Sequence, residues 1–160
     1  MYTPAALLDI HTRTHRSFAA LIAHARGFAA ADIEREHPAF GGATLRLQIA
    51  HMIGGERYWV GVLAGAVDAE EREERLATLA ELEAARVEVA AATQRSIGAS
   101  TESALDTPRE MAVWGGRTQV LSPAHVLLRV MTHVYHHQGQ CAAICRVLGR
   151  PVSGLDFPMT

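Results

Sequence analysis

Cysteine is scarce in this chain of 160 residues: it has two, Cys141 and Cys145. They are four positions apart on one predicted helix, where the Cα separation and Cβ directions do not favour a disulfide. Both are therefore read as reduced, as in a cytoplasmic protein. No apolar run reaches the roughly 18 residues that a membrane-spanning helix needs. The opening stretch, MYTPAALLDIHTRTH, lacks the charged and apolar regions of a signal peptide, so none is expected. Charge of one sign is also missing. A formal net charge of −2 gives no global pull toward nucleic acid or anionic lipid, and no basic stripe is visible. Internal repeats and low-complexity tracts are absent. Hydrophobic residues make up 49 % and charged residues 20 %, a balance too apolar for disorder. This length fits one domain, residues 1–160, able to bury a core without staples.

Histidine, in contrast, is abundant: there are nine, four of them between His125 and His137. The stretch MTHVYHHQGQ, Met131 to Gln140, places His133 and His137 one helical turn apart. Two imidazoles in that relation can grip one metal ion.

Four long helices are predicted. Thr3-Pro4, a hydroxyl cap followed by proline, starts the first, which runs to about Ala25. It carries a second i,i+4 pair, His11 and His15, read as surface or core-edge residues. Residues 28–43 form a long connection. The second helix spans Thr44 to Ala64, with an apolar side through Leu45, Ile49, Met52, Trp59 and Leu63. Gly54-Gly55 inside it costs about 1 kcal/mol per residue relative to alanine, which close packing or room for a ligand must offset. The charge run EEREER, Glu70 to Arg75, is read as the solvated opening of a third helix ending near Ile97. After an irregular stretch, 98–110, two strand-like runs flank Gly115-Gly116 and predict a two-residue hairpin. Ser122-Pro123 then starts the last helix, to about Leu148, and an extended tail follows, packed by Leu155 and Phe157. The fold class is all-α: a four-helix bundle with a small β-hairpin before its last helix.

On the last helix, His133 and His137 differ by about 40° around the axis. They share their sector with Val126, Val130, Gln140 and Ile144, an inward and mostly apolar stripe. Histidine is costly to bury charged, and a metal that takes neutral imidazole resolves this. The third ligand is expected to be His51, with Gly55 one turn later making room. Three imidazoles from two helices leave coordination positions for water or substrate. Val134, Tyr135 and His136 fill the interval between the two histidines, so the HExxH pattern and its glutamate base are absent.

Three stretches resemble the DinB/YfiT-like metal-binding bundle proteins: LQIAHMIGGERYWVGVLAG (Leu47 to Gly65), HVYHHQGQ (His133 to Gln140) and GRPVSGLDF (Gly149 to Phe157). The resemblance covers nearly the whole chain in order and spacing. It implies an up-down-down-up bundle, the ligands His51, His133 and His137, a divalent ion such as zinc or nickel, and frequent homodimers. One departure is Gln138, where the family usually has arginine.

The function expected is a metal-dependent enzyme acting on a small molecule. The resemblance alone points to a low-molecular-weight thiol and to S-transfer or hydrolysis. An open divalent ion held by neutral ligands lowers the pKa of water or thiol at its free position. Tyr58, Gln140 and His136 are candidates to orient groups around it. The competing expectation is a non-enzymatic metal-binding stress protein, favoured by a fourth ligand from His11, His15 or Cys141. Nucleic acid and membrane are not expected partners.

Overall fold

A computed structural model describes residues 1–160. Six helices and one hairpin follow in the order α1 (Pro4–Ala25), α2 (Ala30–Ile33), α3 (Leu45–Ala64), α4 (Leu79–Gly98), α5 (Glu102–Asp106), β1 (Arg109–Val113), β2 (Arg117–Leu121) and α6 (Pro123–Val147). The four long helices are α1, α3, α4 and α6. Each long helix has an identifiable start. Thr3 and Thr44 accept hydrogen bonds from the backbone of Ala6 and Leu47, satisfying donors the first turn cannot pair. Thr78 and Glu81 form a reciprocal capping box at α4. Ser122 takes no such role; its hydroxyl donates to the Leu105 carbonyl, and Pro123 alone shapes the start of α6.

Helices α1 and α3 stand on opposite corners of the bundle, and each packs against both α4 and α6. Contacts fix the directions. Gln48 meets His137 while Gly55 meets His133, so α3 runs against α6. Ser17 meets Gln138 and His24 meets the Arg150 carbonyl, so α1 runs with α6. The chain between α3 and α4 doubles back along α3: Arg57 holds Asp68 and Glu73, and Arg46 holds the carbonyls of Glu74 and Leu76. Helix α4 therefore starts beside the start of α3 and runs parallel to it. The result is up-down-down-up.

That return path corrects the reading of EEREER. The run is not the first turn of the third helix; residues Arg72–Arg75 form one 3-10 turn, and α4 begins at Leu79. Arg57 is the cause. Its guanidinium takes both carboxylate oxygens of Glu73, which is 4 % exposed, and draws the turn onto the middle of α3. Two smaller differences follow the same logic of local chemistry. Thr101 caps a short helix, α5, inside the stretch expected to be irregular. The hairpin loop has three residues, Trp114 to Gly116, because Val113 pairs with Arg117. Gly115 and Gly116 both take positive φ, 72° and 68°, a region that disfavours side chains. In the tail, Leu155 packs on the core while Phe157 stays 42 % exposed.

The interior is two apolar clusters rather than one. The larger joins Phe18, Leu21, Ile49, Ile53, Leu82 and Ile144 with their neighbours; the smaller joins Leu7, Val62, Ile97, Leu127 and Met131. Between them lies a polar layer. His11 and His15 are 0 % and 5 % exposed, so the expectation of surface or edge histidines was wrong. They point across the bundle at Glu56, itself 1 % exposed, because a carboxylate buried at the centre requires donors on both oxygens.

Candidate metal centre

Helices α3 and α6 bring His51, His133 and His137 together. One ligand nitrogen from each lies within 4.8 Å of the others. The His133 and His137 Nε2 atoms are 3.1 Å apart, near the edge of about 3.3 Å between two nitrogens on a tetrahedral zinc ion. His51 is exposed and the other two are half-buried. Burial, then the charge of neighbouring histidines, pushes His133 and His137 down to about 4. Both are therefore neutral at pH 7, the form a metal uses.

Two further residues decide how these rings sit. Gln48, on α3 one turn before His51, places Oε1 2.7 Å from His137 Nδ1, and Gln140 places its own Oε1 3.1 Å away. Two amide oxygens can only accept, so the proton belongs on Nδ1 and the Nε2 lone pair faces His133. Gly55 solves a different problem. A Cβ on it would lie 2.8 Å from His133 Cε1 and 3.1 Å from Nδ1. The glycine is the space into which the His133 ring fits, which accounts for its presence inside a helix.

The triad borders a pocket of about 360 Å³. His51, Gly55 and His133 form one end; Tyr58, Trp59, Trp114 and Arg129 form a wall; Asp68, Glu70, Glu71 and Glu74 form the rim. No further histidine, cysteine, aspartate or glutamate joins the three histidines as a ligand. Cys141 and Cys145 are fully buried, and burial pushes both thiols up.

A second group, His11, His15 and Glu56, also has ligand-type atoms in close array. Its surroundings argue against a metal there. Arg86 Nη1 donates to His15 Nδ1 at 3.1 Å, which puts the proton of that ring on Nε2. His15 Nε2 then donates to Glu56 Oε2 at 2.8 Å and has no lone pair to offer. His11 Nε2 stands 2.8 Å from Oε1, and Thr93 donates to the same oxygen. Burial alone would raise the Glu56 pKa, but the two histidine hydrogen bonds outweigh it and hold the carboxyl at about 2. This is a hydrogen-bonded strut, and a ring with an acceptor behind it, as His137 has, is what it lacks.

The three residues expected to orient groups around the metal occupy different places. Tyr58 lines the pocket, and its hydroxyl accepts the Trp114 backbone N–H at 2.7 Å, so it tethers the hairpin tip. Gln140 stands behind His137. His136 is exposed, outside the pocket lining, with Nε2 3.4 Å from the Gln140 amide. Gln138, where arginine was expected, is 2 % exposed and bonds to Ser17 on α1, away from the pocket. Sequence reasoning missed Gln48, Trp114 and Arg129. Gln48 had a signal: three residues before His51, it shares that face of the helix. Arg129 had one as well, four residues before His133 on α6, whereas Trp114 had none, since the hairpin brings it in from a distant chain position.

Comparison with known proteins agrees with this architecture. The sequence model of the DinB family matches residues 23–160. A crystal structure of a DinB-like protein from Bacillus cereus ATCC 10987 superposes with a TM-score of 0.76 at 18 % identity, over 96 % of this chain and 99 % of that one. No curated protein matches the sequence.

Proposed function

We propose, for a chain that belongs to the DinB family, that His51, His133 and His137 bind one divalent ion and that the pocket beside it is the active site of a small-molecule enzyme. Imidazole suits zinc, copper, iron and nickel alike, and family likeness favours zinc or nickel among them. The observation that carries the reading is an open triad: three imidazole ligands, no fourth protein ligand, and a pocket of about 360 Å³ beside them. Structural zinc sites fill their four positions with protein groups; this one leaves a side free.

When bound, the ion supplies Lewis acidity that favours a deprotonated thiol or water. The rest belongs to the chain. Gln48 and Gln140 orient His137, Gly55 admits the His133 ring, and Tyr58 holds the hairpin wall in place. His136 is a polar neighbour of His137, their ring centroids 4.9 Å apart. We assign the reaction to transfer of a low-molecular-weight thiol to an electrophile, or hydrolysis of one. The thiol rests on family likeness alone, and so does assembly as a homodimer. No helix is long and apolar enough to cross a membrane.

The alternative, a metal-binding stress protein without catalysis, predicted a fourth ligand from His11, His15 or Cys141. His11 and His15 are committed to Glu56, and Cys141 lies in the apolar core. The enzyme reading is tested by metal analysis of untagged protein, expected to give about one divalent ion per chain. Full metal content in His51→Ala, His133→Ala and His137→Ala would sink the site. A screen of metal-loaded protein with thiols and electrophiles tests catalysis; equal turnover by the metal-free protein would remove the ion from the reaction.

A further inference from the structure

We propose that Trp114 is a substrate-contacting residue and that the molecule taken by the pocket carries a planar aromatic group. This rests on the open metal site above and names what occupies its far wall.

The chain has two tryptophans, Trp59 and Trp114, and both line the pocket. Their situations differ. Arg129 lies over the Trp59 ring, its guanidinium carbon 5.3 Å from the centroid, so that ring already has a partner. Trp114 is 69 % exposed. That exposure departs from the high average burial of tryptophan.

Its position is held, not incidental. The backbone N–H of Trp114 donates to the Tyr58 hydroxyl, and Tyr58 itself rises from α3 two turns beyond His51. Gly115 and Gly116, both with positive φ, turn the chain immediately after it. Strand pairing from Arg109–Leu121 to Val113–Arg117 fixes the stem below. These contacts fix the backbone that carries the indole at the pocket wall. Exposed, and carried on a tethered backbone, the Trp114 ring is a free aromatic face on a wall that begins at the triad. A pocket of this volume falls within the range of small-molecule sites, about 300–1,000 Å³. Planar groups gain over saturated ones of equal size by stacking on such a face, about two- to tenfold in affinity.

The test uses two probes with the same metal-binding end and equal size, phenylacetohydroxamate and cyclohexylacetohydroxamate, titrated into protein loaded with one zinc ion per chain. Binding is read by calorimetry and by tryptophan fluorescence, which comes entirely from the pocket. The aromatic probe is expected to bind about two- to tenfold tighter. Trp114→Leu should erase that difference while leaving the aliphatic probe's affinity and the zinc content in place, and Trp114→Phe should keep part of it. Equal affinities in the unsubstituted protein, or a preference that survives in Trp114→Leu, overturn the proposal but leave the open metal site standing. Failure of both probes to bind zinc-loaded protein overturns both readings. Sedimentation of Trp114→Leu separates the remaining explanation: dissociation of a dimer with the preference intact would make the indole an interface residue and refute its role in the pocket.

Discussion

Alanine at Gly55 should weaken metal binding without weakening the helix. The added Cβ would sit 2.8 Å from His133 Cε1 and 3.1 Å from Nδ1. Ordinary carbon contact needs about 3.5 Å or more, so the ring must retreat by about 0.7 Å. Metal–ligand distances tolerate errors of about 0.2 Å. The ring therefore either leaves the ion or drags α6 with it, and a loss of at least about tenfold in affinity, roughly 1.4 kcal/mol, is expected. The backbone effect has the opposite sign. Gly55 lies inside α3 with ordinary helical φ, and alanine there favours the helix by up to about 1 kcal/mol. His133 is half-buried and can swing toward the pocket when no ion holds it. Metal-free Gly55→Ala should thus melt at or above the unsubstituted protein, while its zinc affinity, measured by competition with a chromogenic chelator, falls. Unchanged zinc affinity would show that the ring need not occupy the glycine's space, and the ligand geometry described above would be wrong.

Other consequences can be measured alongside. Gln48→Leu removes an acceptor behind His137 and should cost about 10- to 100-fold in metal affinity, with Gln48→Glu retaining it; calorimetric titration reads both. Loss in the glutamate variant as well would point to simple packing. The polar layer predicts a pH effect. The Glu56 pKa is lower in the folded chain, about 2 against 4.5, so the folded state favours the ionised form. Its stabilisation is present above pH 4.5 and drains away as pH falls toward 2. Melting of metal-free protein between pH 5 and 3 should show this slope, and Glu56→Gln, less stable throughout, should flatten it. Parallel curves for the two proteins would show that the carboxylate carries none of the acid sensitivity.

The bundle was legible because its signals are local. Thr3-Pro4, the caps at Thr44 and Thr78, and the apolar spacing of each long helix are properties of neighbouring residues. The triad was legible for a related reason: helical spacing pairs His133 with His137, and one more histidine, His51, with Gly55 one turn later, completes the set. What failed was long-range. Glu73 reads as one more surface acid until Arg57, 16 residues away, turns it inward. His11 and His15 read as edge residues because their partner, Glu56, is 45 and 41 positions distant on a diagonal helix. A carboxylate inside a helix gives no local sign of facing the core. The hairpin wall of the pocket was invisible for the same reason, since Trp114 meets Tyr58 across 56 positions.

The polar layer between the two apolar clusters has a consequence for alignment. Leucine and isoleucine packing is permissive: a helix sliding by one turn, about 5.4 Å, still finds apolar neighbours. Glu56 does not tolerate this. One turn either way would strand a carboxylate among aliphatic side chains, away from His11, His15 and Thr93. The next residue back, Gly55, must meet His133 on the other side of the same helix. Adjacent residues of α3 thus act as a pawl with teeth on two faces. One locks the helix lengthwise against α1 and α4; the other uses that lock to deliver its neighbour His51 to the level of His133 and His137 on α6.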